Sequence, residues 1–89
     1  MWNYRLVNSL DDNGIKVTGV HEVYYDEKHR PQTMTKNPVK LDIATYEGQD
    51  TSEEMIKDLE MILNDLKLNK LILEYPEDFM DSYSISEEL

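Results

Sequence analysis

The sequence predicts an α+β domain: an antiparallel three- to four-stranded meander with one amphipathic helix packed on one face, closed by a short C-terminal strand or extended segment. Three observations carry this. Residues 51–68 hold Met55, Ile56, Leu59, Ile62, Leu63 and Leu66 at i, i+3, i+4 and i+7, one stripe of a 3.6-residue period. Residues 2–9 and 15–25 instead alternate between two faces, the period of a half-buried strand. Between those two stretches stands Asn13-Gly14, the strongest short hairpin signal.

The elements follow in order. The first strand places Trp2, Tyr4 and Leu6 on one face and Asn3, Arg5 and Val7 on the other. Trp2 is the only tryptophan and is expected to anchor the core, since one such ring removes about 200 Å² from water. In the second strand Ile15, Val17, Gly19, His21, Val23 and Tyr25 share a face, and Gly19 is expected to mark a bulge or sharp twist. The polar stretch DEKHRP at 26–31 is a turn. Residues 32–35 form a short third strand, broken by Asn37-Pro38. Residues 39–46 read as either a fourth edge strand or an extended connector.

The helix carries its own signals. Thr51 with Glu54 has the spacing of a capping box, and Asp50, Glu53 and Glu54 suit the positive end of the dipole. Asn69 reads as a left-handed stop, with Lys67 and Lys70 at the negative end. Leu71-Ile72-Leu73 is the last strand or an extended segment, and Tyr75-Pro76 closes it. The expected organisation is one domain over residues 1–76 and an acidic tail over 77–89, either unstructured or forming a short helix at 77–83.

At 89 residues the chain is one domain that buries about 60–65% of its unfolded surface. It has no cysteine, which excludes disulfides, thiolate metal sites and a cysteine nucleophile. No apolar run approaches the roughly 20 residues of a membrane span. The stretch MWNYRLVNSL has neither a basic flank nor an unbroken apolar run, so no signal peptide and a cytoplasmic setting are expected. The formal net charge is −10, and it is unevenly placed. Residues 1–40 hold six basic and five acidic residues, a net of +1; residues 41–89 hold three basic and fourteen acidic, a net of −11. Such a surface disfavours direct binding to nucleic acid or an anionic membrane and favours a basic protein partner.

His21-Glu22-Val23-Tyr24-Tyr25-Asp26-Glu27, with the W-x-Y-R start at Trp2, Tyr4 and Arg5, Asn37-Pro38-Val39 and the acidic helix, resembles a set of small uncharacterised bacterial proteins. Those carry WNYR-like, HEVYYDE-like, NPV and DLE-helix motifs, and the resemblance covers roughly residues 2–68. It implies a fold and no chemistry. The layout of strands before one acidic helix also looks like the domain of HicB-type antitoxins, although the proline-glycine-rich loop of those proteins is missing here. In size and charge the chain looks like small acidic anti-CRISPR proteins.

Other constellations are weaker. His21, Glu22, Asp26 and His29 have no established metal-ligand spacing; His21 belongs on a sheet face and His29 in a solvated turn. Asp58, Glu60 and Asp65 lie on the polar side of a helix, where no cleft raises a carboxyl pKa for acid–base work. Six tyrosines do not make a single-stranded nucleic-acid platform with so few basic neighbours, and one of Tyr24 and Tyr25 is expected at the surface or in an interface. No phosphate-binding glycine loop is present.

The expected function is therefore a small non-enzymatic acidic interaction protein without cofactor or metal. Its second half would dock on a basic partner, a nucleic-acid-binding protein or a toxin, in the manner of an inhibitor, an antitoxin or a nucleic-acid mimic. The candidate partner-binding residues are Glu53, Glu54, Asp58, Asp65, Glu77, Asp78 and Asp81, with Tyr75 and Phe79 as apolar anchors. The alternative is a structural homodimer formed through an open sheet edge or apolar surface left over on the helix.

Overall fold

A computed structural model describes residues 1–42, 47, 48 and 50–80. Three strands come first: β1 (Trp2–Leu10), β2 (Lys16–Tyr25) and β3 (Pro31–Met34). The helix α1 (Ser52–Leu68) follows, then the two-residue strand β4 (Leu73–Glu74). The sheet order is β3-β2-β1-β4. The first three strands form the expected meander, but β4 joins β1 in parallel, Val7 against Leu73 and Asn8 against Glu74. The reason is topological. The helix carries the chain back across the sheet from the β3 edge to the β1 edge, so the next strand runs the same way as β3. Residues 39–42 form no strand, although the Val39 N–H donates to the Val20 carbonyl at 2.7 Å. The rest of that predicted segment, 43–46, lies outside the described residues.

The β1–β2 register pairs Arg5 with His21 and Val7 with Gly19, so these side chains share a face with Val23, Met34 and Leu73. This face holds the core: Val7, Val23, Met34, Leu73 and Phe79, with Tyr25 and Tyr75 packed against it. Residues 75–80 cover it. They are pinned at one end by the Tyr75 N–H on the Asn8 carbonyl (2.9 Å) and at the other by the Met80 N–H on the Pro31 carbonyl (3.0 Å). The packed domain therefore runs to at least Met80, past the boundary at residue 76 read from charge. Residues 81–89 lie outside the described residues; of the helix expected at 77–83, residues 77–80 are described and are not helical, 75–78 forming turns.

The opposite face carries Tyr4, Leu6, Val20, Glu22 and Tyr24, and α1 lies on it. The helix touches the sheet mainly through β1. Only Ile62 is buried, with Met55, Asp65 and Leu66 half-buried. The expected stripe is thus covered along one side only. Trp2 does not anchor the core: it is 45% exposed and stacks edge-on against Tyr4 at 5.2 Å on the helix-bearing face.

Three local expectations are corrected. The strand register passes through Gly19 unbroken, and the bulge falls at Tyr24/Tyr25 instead. Glycine at 19 permits a close approach: a Cβ there would sit 3.2 Å from Pro38 Cβ, so the proline would have to give by a few tenths of an ångström. The Thr51 side chain makes no cap bond; Asp50 Oδ1 accepts the Ser52 N–H at 2.9 Å instead. Asn69 is not left-handed (φ −131°), and its backbone N–H and Nδ2 both donate to the Asp65 carbonyl.

Candidate interaction surface

The nine candidate residues do not form one surface. Glu53 and Glu54 are exposed in the first turn of α1, and Asp58 is exposed one turn further on. Asp65 is committed to the fold. Strand β4 pairs only with Val7 and Asn8, so β1 has an open edge before them, and there Asp65 Oδ2 accepts the Tyr4 N–H at 3.0 Å. Asp78 is committed likewise: its Oδ2 accepts the Glu74 N–H at 2.7 Å. Phe79 is a core residue, 7% exposed, and so is no anchor for a partner. Tyr75 is half-buried, its ring 5.4 Å from that of Phe79. Glu77 is exposed, but in the segment on the other side of the sheet from the helix. Asp81 lies outside the described residues.

What remains on the helix is a smaller and more defined feature. Ile56, Leu59 and Leu63, spaced i, i+3, i+7, are 53%, 42% and 51% exposed. They form the uncovered side of the stripe. Glu60 stands one turn from both Ile56 and Leu63, and Glu53 one turn before Ile56, so carboxylates border the apolar row. The spacing put these three in the stripe expected to face the sheet, and apolar surface left over on the helix entered only with the homodimer alternative. The missed signal is the width of the stripe: six apolar positions span more of the helix circumference than one contact line against a sheet uses.

On its sheet-facing flank the helix closes a cavity of about 280 Å³ lined by Tyr4, Glu22, Thr35, Met55, Asp58 and Ile62 among others. Burial raises the pKa of the Tyr4 hydroxyl, and the carboxylates of Glu22, Asp58 and Asp65 raise it further. The field along this flank is therefore negative. It repels a nucleic-acid phosphate and attracts a lysine or arginine.

The histidines are far apart in character. His21 is buried on the core face with Nδ1 2.9 Å from the Thr35 carbonyl, and His29 is exposed in the loop between β2 and β3. Among the described residues no three histidine or carboxylate side chains converge as metal ligands would. Tyr24 and Tyr25 point to opposite faces and both are half-buried; the Tyr25 hydroxyl accepts from Arg5 Nη1 (2.9 Å) and donates to Asn3 Oδ1 (2.7 Å). No described helix is long and apolar enough to cross a membrane. No protein-family model matches the chain, and neither a curated protein nor a solved structure is significantly similar to it.

Proposed function

We propose that this chain is a non-enzymatic acidic interaction protein that binds a basic protein partner through α1. The observation that carries the reading is the uncovered row of Ile56, Leu59 and Leu63 bordered by Glu53 and Glu60. An apolar centre with a charged rim is the usual build of a protein interface. The net charge of −10 selects the partner, because a cationic surface is steered toward it and an anionic one is repelled. A nucleic-acid-binding protein or a toxin with a basic groove has that chemistry, which makes the chain an inhibitor or antitoxin-like protein. Glu53, Glu54 and Asp58 remain partner-binding candidates, joined by Glu60; Asp65 and Asp78 serve the fold.

The test is capture from source cells by the tagged chain in low and high salt, alongside two double variants. Leu59→Ser with Leu63→Ser removes the apolar row, and Glu53→Lys with Glu60→Lys reverses its rim. All four positions are exposed, so each change shifts stability by only about 0.5 kcal/mol. A basic protein held at low salt, shed at high salt and lost with both variants supports the reading. A partner retained by both variants removes it. The same apolar row also serves the homodimer alternative, which a concentration-dependent mass, abolished by the serine variant, would establish in its place.

A further inference from the structure

The loop between β1 and β2 carries a chemical feature that the proposed interaction does not use. The chain holds six asparagines, and Asn13 alone is followed by glycine. In that order the two residues can react with each other. The Gly14 amide nitrogen, after losing its proton to base, attacks Asn13 Cγ. A C–N bond forms, the Cγ–Nδ2 bond breaks, and Nδ2 leaves as ammonia. Water then adds across the five-membered imide and opens it at either carbonyl, leaving aspartate or isoaspartate. Glycine has no side chain to hinder the attack, and both residues are exposed. Judged by sequence and exposure alone, this is a fast site.

The geometry of the loop opposes the reaction. The Gly14 N–H donates to the Asp11 carbonyl at 2.9 Å, which closes a turn over residues 11–14. Neither Asp12 nor Asn13 has a positive φ, so the turn is type I, and Gly14 follows at φ 77°. Asn13 and Gly14 therefore do not fill the two central positions of a mirror-image hairpin turn. Asn13 is the third residue of the turn, where ψ is about 0°. Ring closure needs the Gly14 nitrogen eclipsed with Cβ, a rotation of roughly 120° about the Cα–C bond, because the substituents of Cα are tetrahedral. That rotation breaks the Gly14 bond. It also pulls Ile15 away from Asp11, where the Ile15 carbonyl accepts the Asp11 N–H and the Ile15 N–H donates to Asp11 Oδ1, each at 2.9 Å. The Asn13 N–H donates to the same Oδ1, also at 2.9 Å, and fixes the other side of the residue. The nitrogen is a poor nucleophile as well. Its proton is held by a carbonyl, and the carboxylates of Asp11 and Asp12 oppose a further negative charge.

We infer that Asn13 is a site of spontaneous deamidation that the closed hairpin suppresses, so that the modification accumulates only while the end of the β1–β2 hairpin is open. Its rate in the folded chain is the rate in the open chain multiplied by the fraction of time spent open. Each event is a lasting mark. Isoaspartate runs the backbone through its side chain and lengthens the loop by one atom, and either product adds one negative charge beside Asp11 and Asp12.

The experiment incubates the full chain at mildly alkaline pH and follows its tryptic peptide, residues 6–16, by mass spectrometry, with fragmentation to separate Asn13 from Asn8. Wild type and Asp11→Ala are each compared in native buffer and in denaturant at one pH and temperature. Wild-type Asn13 should deamidate about ten-fold or more slowly in native buffer than in denaturant. Asp11 is exposed, so Asp11→Ala keeps the fold, as circular dichroism should show. Its deamidation in native buffer, relative to its own rate in denaturant, should be several-fold faster than that of the wild type. Equal wild-type rates in the two solvents overturn the inference. So does a folded Asp11→Ala chain with the wild-type ratio of rates.

Discussion

His21 and Arg5 are cross-strand partners on the core face, and the fold satisfies them differently. Arg5 donates from two guanidinium nitrogens to the Tyr25 hydroxyl and the Leu71 carbonyl, each at 2.9 Å, while its buried Nε meets no acceptor among the described residues. His21 is held neutral by burial, which lowers its pKa below the ordinary 6.5; the bond to Thr35 opposes this in part. In the unfolded chain the same imidazole titrates near 6.5. Between the two pKa values the unfolded state binds more protons, so stability rises with pH across that window and falls as pH drops below about 6.5. Urea unfolding from pH 7.5 to 5.5 should show the midpoint falling for the wild type and a flatter profile for His21→Gln. Strand alternation grouped Arg5 with Val7 and His21 with Val23, although the core anchor was expected on the opposite, Trp2 face of the first strand. The neutral state of His21 and the network of Arg5 were not legible, because they depend on Thr35 and Leu71, remote in sequence.

At the scale of elements, the two hairpins are built alike. In the first loop the Asp11 N–H donates to the Ile15 carbonyl, and Asp11 Oδ1 accepts from the Asn13 and Ile15 N–H groups. In the second, the Asp26 N–H donates to the Arg30 carbonyl, and Asp26 Oδ1 accepts from the Lys28 and Arg30 N–H groups. The fourth residue is left-handed in each: Gly14 at φ 77° and His29 at φ 62°. A side chain in that region costs about 1 kcal/mol that glycine avoids. His29→Gly should therefore raise unfolding stability by roughly 0.5–1 kcal/mol, read as a higher urea midpoint with an unchanged slope. Asn13-Gly14 announced the first loop; the second went unseen as its twin because a histidine holds the glycine position. The helix shows a similar division. Its stripe was plain in the spacing of residues 55–66, yet the spacing does not say at what angle the helix crosses the sheet, and the crossing decides that Ile62 is covered and Leu59 is not. The acidic residues posed the same difficulty. Composition marked all of them alike, whereas geometry gives Asp65 and Asp78 to backbone N–H groups and leaves Glu53, Glu54 and Asp58 to solvent.

At the scale of the molecule, the sheet has a dry face and a loosely covered one, and the dry face is sealed by the last described segment and not by the helix. Phe79 is the buried core residue of that seal. Removing a buried phenylalanine side chain costs about 3–5 kcal/mol, and a domain of this size holds a total of roughly 4–13. Phe79→Ala should lower the urea midpoint by about a quarter or more, or leave the chain unfolded. A loss below about 1 kcal/mol would mean that residues 75–80 contribute little. Charge had assigned Phe79 to a tail, since the surrounding sequence is acidic; yet acidic residues solvate the outside of this turn while one ring points inward.

The parallel pairing of β4 with β1 also has a temporal meaning. Val7 waits for Leu73, its partner across nearly the whole chain, whereas the β1–β2 hairpin closes locally. Loop closure makes such distant pairings late steps in folding. On the ribosome, where residues are added at about 5–20 per second, Val7, Val23 and Met34 emerge seconds before Phe79 can cover them. For that interval the nascent hairpin presents its apolar face to the cell. Its exposure to chaperones, or to other nascent chains, is set by the rate of translation through the helix and the final turn.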